Sequence, residues 1–84
     1  MTYPIKLAVS KLIVRFGLRV KELRKQAGIT QEKLAEMVEV SCDYIGLIER
    51  GLRSPSFQII ERLAKSLGVR VEELFIEAQK SNTA

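Results

Sequence analysis

A chain of 84 residues has room for one small domain, near the lower end of what folds alone on a single core. Its 46% hydrophobic content excludes a disordered chain, its 29% charged content points to a soluble one, and Lys or Arg interrupts the apolar residues too often for a membrane span of roughly 18 residues. The net charge of +4 is unevenly spread: residues 1–29 hold seven basic side chains against Glu22 alone, while residues 30–56 hold three against five acidic ones.

In chain order, the start MTYPIKLAVSKLIVR is basic and partly apolar, and it lacks the uninterrupted apolar core and small-residue cleavage site of a secretory signal. Thr2 and Pro4 can open a helix, since proline is tolerated at the first helical position. Ile5, Val9, Leu12, Phe16, Val20, Leu23 and Ala27 then step by threes and fours along one apolar face. Unbroken, a helix from 5 to 27 would span about 35 Å. Gly17 in its middle costs roughly 1 kcal/mol relative to alanine, which leaves two helices, 4–15 and 17–27, as the alternative. Leu7, Val14 and Leu18 lie off the stripe, as ordinary exposed surface or as a partner contact. Gly28 ends the segment as a left-handed cap.

Thr30 to Gly51, TQEKLAEMVEVSCDYIGLIERG, reads as two short helices joined by a tight turn, with Thr30 capping the first and Ser41 the second. Leu34, Ala35 and Val38, then Ile45 and Ile48 with Cys42 one turn earlier, form buried stripes. Ser41, Asp43, Tyr44, Gly46, Leu47 and Arg50 fall on faces the core does not need. Two short capped helices at this spacing are the pattern of a helix-turn-helix, whose second helix enters the DNA major groove. In LRSPS, Pro55 bars helix continuation and Ser56 is set to cap the next helix. There Ile59, Ile60, Leu63, Ala64 and Leu67 form the buried face, with Phe57 packed at its start and Gly68 closing it. Val71 to about Ala78 makes a short last helix, with Leu74, Phe75 and Ala78 inward and Ile76 outward. The sequence thus divides into a helical N-terminal extension (1–15), a helical domain (16–78) and a frayed polar tail (79–84).

The segments FGLRVKELRKQAGITQEKLAEMV, VSCDYIGLIERGLRSPS and IIERLAKSLGVRVEELF, in this order and spacing, resemble the Cro/C1-type helix-turn-helix family of DNA-binding regulators, also called the xenobiotic-response-element family. The resemblance runs from about Phe16 to Phe75. It implies an all-α, compact five-helix, lambda-repressor-like domain that binds operator DNA, generally as a symmetric dimer. The shortness of the chain resembles restriction–modification controller proteins, small phage repressors and self-regulating antitoxins, with no room for a ligand-sensing domain.

Residue by residue, Gln31 matches the family glutamine at the start of the second helix. Open backbone N–H groups and the helix dipole suit that place to a phosphate, and the alternative is a solvated side chain beside the Thr30 cap. Ser41, Cys42, Asp43 and Tyr44 fill the first turn of the recognition helix. Asp43 can accept from cytosine N4 or complement the helix dipole. Tyr44 can reach a phosphate or the sugar backbone, Gly46 permits close approach, and Leu47 can meet a thymine methyl. Cys42 fits the core or a base edge, and the acidic Asp43 and Glu39 argue against a redox role. Arg50, Arg53, Ser54 and Ser56 make a second phosphate clamp, with Lys21 and Lys25 as weaker candidates. Arg24 and Glu49 match the family's paired arginine and glutamate. Leu74, Phe75, Ile76 and Gln79 are the candidate dimer contacts.

Three departures stand out. Glu39 occupies a turn position that favours glycine or asparagine, and a left-handed conformation costs it about 1 kcal/mol. The recognition helix lacks the Gln, Asn and Arg that most often read bases, which shifts weight to DNA shape and the loop arginines. Arg70 replaces a small capping residue before the last helix. The expected function is a cytoplasmic DNA-binding transcriptional regulator, a homodimer on a roughly palindromic operator. The alternative is an antitoxin or adaptor whose main partner is another protein. An enzyme is not expected: the sequence offers no histidine, no paired nucleophile and base, and no metal-ligand set, and no cofactor is implied.

Overall fold

The chain runs through α1 (Ile5–Gln26), α2 (Gln31–Val38), α3 (Cys42–Glu49), α4 (Phe57–Leu67) and a 3-10 helix (Val71–Phe75). The computed structural model describes residues 5–78, with side chains from Leu12 onward, and contains no strand among them. Readings on Thr2, Pro4, Gln79, the rest of the tail, and the side chains of Ile5, Leu7 and Val9 lie outside the described residues.

Each short helix starts where a hydroxyl takes up an orphan backbone N–H. Thr30 Oγ1 accepts from the Lys33 N–H at 3.0 Å, Ser41 Oγ from Tyr44 at 3.0 Å, and Ser56 Oγ from Ile59 at 3.2 Å. The α2–α3 turn is bought at Glu39, which takes φ 68°, ψ 46° and donates its N–H to the carbonyls of Ala35 and Glu36. The left-handed strain expected there is present. The Arg70 side chain makes no capping bond to the 3-10 helix. Its guanidinium instead pairs with Glu72 at 3.0 Å. The Glu72 carboxyl is held below its ordinary pKa by a backbone hydrogen bond first and by Arg70 second.

The core collects one stripe from every element. Phe16, Val20 and Leu23 of α1 meet Leu34 and Val38 of α2, Ile45 and Ile48 of α3, Ile60 and Leu63 of α4, and Leu74 of the 3-10 helix. Several expectations fail at its edges. Leu12 is 43% exposed and Ala27 lies at the surface, so the α1 stripe is shorter than its periodicity. Phe57 is 85% exposed rather than packed. It sits in the first turn of α4, where side chains lean back toward the N-terminus and, here, past the end of the core. The last helix is a five-residue 3-10 helix that stops at Phe75, where Ile76 becomes extended (φ −77°, ψ 140°). Leu74 is completely buried, which removes it from the candidate dimer face. Phe75 keeps 39% exposure while its ring lies 5.1 Å from that of Phe16.

Gly17 does not break α1. It marks the point where α1 crosses the end of α3 backbone to backbone. A Cβ at Gly17 would run into the carbonyl oxygen of Ile48 and lie 2.9 Å from that of Glu49. The crossing continues at Gly51, which holds φ +74° and whose Cβ would stand 3.1 Å from Val14 Cα. The sign of a substitution separates the two views of Gly17. An alanine in an open helix gains roughly 1 kcal/mol, whereas here Gly17→Ala is expected to lose about 1–3 kcal/mol through overpacking against main chain. Thermal unfolding checks this, and an unchanged or raised midpoint would refute the close crossing.

Candidate nucleic-acid interface

The outer surface of α2 and α3 is built around a buried carboxylate. Glu49, the last residue of α3, is 4% exposed, and Arg24 of α1, 8% exposed, faces it. Arg24 Nε donates to Glu49 Oε2 at 2.6 Å and Nη2 to Oε1 at 3.2 Å, while Nη1 donates to the Ile29 carbonyl at 2.9 Å. The expected pair is therefore formed, in a two-pronged geometry that also secures the turn after α1. Among the described residues no buried side-chain nitrogen or oxygen lacks a partner.

Gln31 joins this network. Its Nε2 donates to Glu49 Oε1 at 3.0 Å, so the amide that the sequence leaves facing either solvent or a phosphate is anchored from below. It also lies over α3: a Cβ on Gly46 would be 3.8 Å from Gln31 Oε1, an ordinary contact. Gln31 and Gly46 are thus neighbours, and both keep partial exposure.

The first turn of α3 presents exposed Ser41 and Asp43, with Cys42 and Tyr44 half-buried against the core. Ser41 already spends its hydroxyl on the Tyr44 N–H. Leu47 is half-buried yet stands apart from the core cluster. Arg53 folds back from the α3–α4 loop, its guanidinium carbon 5.2 Å from the Tyr44 ring centroid, which ties the loop to the recognition helix by a cation–π contact. Arg50 is exposed with Nε bonded to the Gly46 carbonyl at 3.2 Å. Ser54 is exposed, and Ser56 is taken up in capping α4. Lys21 is exposed on α1 and forms no hydrogen bond or ion pair among the described residues.

Sequence reasoning missed Arg19. It is 8% exposed, donates from Nε to the Glu73 carbonyl at 2.7 Å and from Nη1 to Glu22 at 2.8 Å, and so fastens α1 to the 3-10 helix. Its position next to Val20 on the apolar face, with Glu22 three residues on, was the available signal. Arg19 and Arg24 thus leave the set of cations free to meet phosphates. A second feature is a groove of about 180 Å³ whose lining includes Leu12, Phe16, Pro55, Phe57, Ile60 and Phe75.

The buried pair predicts a non-additive response. Arg24→Met strands the Glu49 charge and is expected to cost roughly 3–5 kcal/mol, and adding Glu49→Leu should recover much of it, because the half-exposed Gln31 amide can turn to water. Equal losses in the single and double variants on thermal unfolding would contradict the pairing.

The geometry meets the comparisons with known proteins at the same segment. The family model described as HTH_3, helix-turn-helix, matches residues 20–74. The control protein C.MunI of Mycoplasma sp is 34% identical over 68 residues, covering 80% of this chain and 92% of that protein. The immunity repressor of Bacillus phage phi105 is 38% identical over 58 residues, 69% of this chain but only 40% of the repressor. The crystal structure of the restriction-modification controller protein C.AhdI from Aeromonas hydrophila superposes with a TM-score of 0.76 at 39% identity, covering 79% of this chain and 96% of that one. With its capped α2 and α3, and a family match over more than half its length, this chain belongs to the HTH_3 helix-turn-helix family of DNA-binding transcriptional regulators.

Proposed function

We propose that the chain works as a homodimer on a roughly palindromic operator, each copy placing the first turn of α3 in a major groove. The observation that carries this reading is the first turn of α3, where Ser41 and Asp43 are exposed, flanked by Gln31 at the start of α2 and by Arg53 over the ring of the half-buried Tyr44. In it, Asp43, Tyr44 and Leu47 face base edges and the sugar backbone, Gly46 allows close approach, and Gln31, Arg50, Arg53 and Ser54 meet phosphates on either side, with Lys21 beyond them. The two-fold symmetry of such a dimer implies the palindrome, and two α3 helices entering major grooves on one face of the duplex imply half-sites one helical turn apart, about 34 Å. The absence of Gln, Asn and Arg from the first turn supports a share of shape readout. The same reading puts the protein in the cytoplasm, with Cys42 as a reduced thiol.

The second copy is best accommodated on the 3-10 helix and its surroundings. Phe75 and Ile76 are 39% and 46% exposed, and Phe57 adds a large apolar side chain to the groove that Phe75 also lines. One self-complementary patch of this kind suits a two-fold contact. Ile76→Glu is expected to shift the protein to monomer in analytical ultracentrifugation and to weaken operator binding steeply. A dimer of unchanged strength would move the interface elsewhere.

Selection of bound sequences from random duplex DNA at fixed moderate salt should enrich one motif of two-fold symmetry. With the enriched duplex, log affinity should fall linearly with log salt, and Arg53→Ala should flatten the slope by about 0.9 for each phosphate contact it removes. No enriched motif would overturn the regulator reading in favour of a module whose main partner is another protein.

A further inference from the structure

We propose that Glu49 is a positioning residue for DNA contact: its carboxylate, seated on Arg24, fixes the orientation of the Gln31 amide at the start of α2. The proposal rests on the DNA-binding reading above and adds a role for a buried residue that itself reaches no ligand. An ionised carboxylate only accepts hydrogen bonds, whereas an amide has one donating and one accepting end. Gln31 therefore meets Glu49 Oε1 through Nε2, at 3.0 Å, and the flipped amide would set oxygen against oxygen. Oε1 also accepts from Arg24 Nη2 and Oε2 from Arg24 Nε, so the carboxylate is held from behind and cannot turn to suit the amide. On its α3 side the amide lies over Gly46, where a Cβ, absent in glycine, would stand 3.8 Å from Gln31 Oε1.

The consequence is a preset donor. Gln31 makes no other side-chain hydrogen bond among the described residues, so its second N–H and its carbonyl remain for a ligand. Ordering a glutamine side chain on binding is costly in rotamer freedom, and Glu49 has met that cost before DNA arrives. The chain from Arg24 on α1 through Glu49 on α3 to Gln31 on α2 thus links the buried ion pair to the protein surface.

The test is a double-variant cycle on the duplex enriched from random DNA. Gln31→Ala and Glu49→Gln should each lower affinity by about threefold to tenfold, the worth of one hydrogen bond, and the double variant should lose little more than either. Because Glu49→Gln also weakens the hold on Arg24, a measurement on the unaltered protein accompanies it. Side-chain amide exchange followed by NMR should be slower at Gln31 than at the exposed Gln26 and Gln58. The proposal is overturned if Glu49→Gln lowers affinity by the same factor with and without the Gln31 side chain, or if the three amides exchange alike. If the unaltered protein enriches no duplex, the DNA reading itself fails, and this proposal with it. Binding that persists without coupling removes the positioning role alone.

Discussion

A single buried carboxylate disciplines this small domain. Glu49 closes α3, takes two hydrogen bonds from Arg24 of α1 and one from Gln31 of α2, and does so at 4% exposure. A charge in that position is tolerable only while its partners stay in place. The pair is thus less a source of net stability than a demand for one arrangement of three helices. Arg24 extends the demand to the turn before α2 through its bond to the Ile29 carbonyl. Arg19 plays the matching part on the other side, where its bond to the Glu73 carbonyl fixes the 3-10 helix against α1. In a domain with few residues to bury, these two arginines tie α1 to α3, to the turn before α2 and to the 3-10 helix.

Much of the fold was legible because the local signals agreed with one another. The hydroxyls at Thr30, Ser41 and Ser56 each sit before an apolar stripe and cap the helix they announce. Glu39 takes the left-handed conformation its place in the turn required, despite a side chain that resists it. What escaped the sequence depended on atoms far apart along the chain. Gly17 reads as a weak point in a helix until the end of α3 is placed against it, and Phe57 reads as core until the first turn of α4 is found to overhang the core's edge. A row of letters does not show whether a glycine loosens its own helix or admits a neighbour.

The candidate interface was less legible than the fold for a related reason. Composition counted every basic residue of the first 29 as a cation, yet Arg19 and Arg24 are turned inward by specific acceptors. Gln31 was recognised as a surface residue, but its attachment to Glu49 bridges 18 positions and has no local signature. Tyr44 and Arg53 likewise come together only when the loop folds back over α3. Residue type told which side chains are able to meet DNA, and tertiary contacts decide which of them are already committed.

The crossing at Gly17 and Gly51 has a bearing on how such a protein changes over time. It grips the end of α3 from behind through main-chain atoms, which are the same whatever side chains the helix carries. In the proposed DNA-binding mode, substitutions at Asp43 or Leu47 then alter what is recognised without disturbing how the helix is mounted. Preference for a sequence and the integrity of the scaffold are then inherited on separate sets of residues, and a lineage can drift to new binding sites while keeping one unchanged frame.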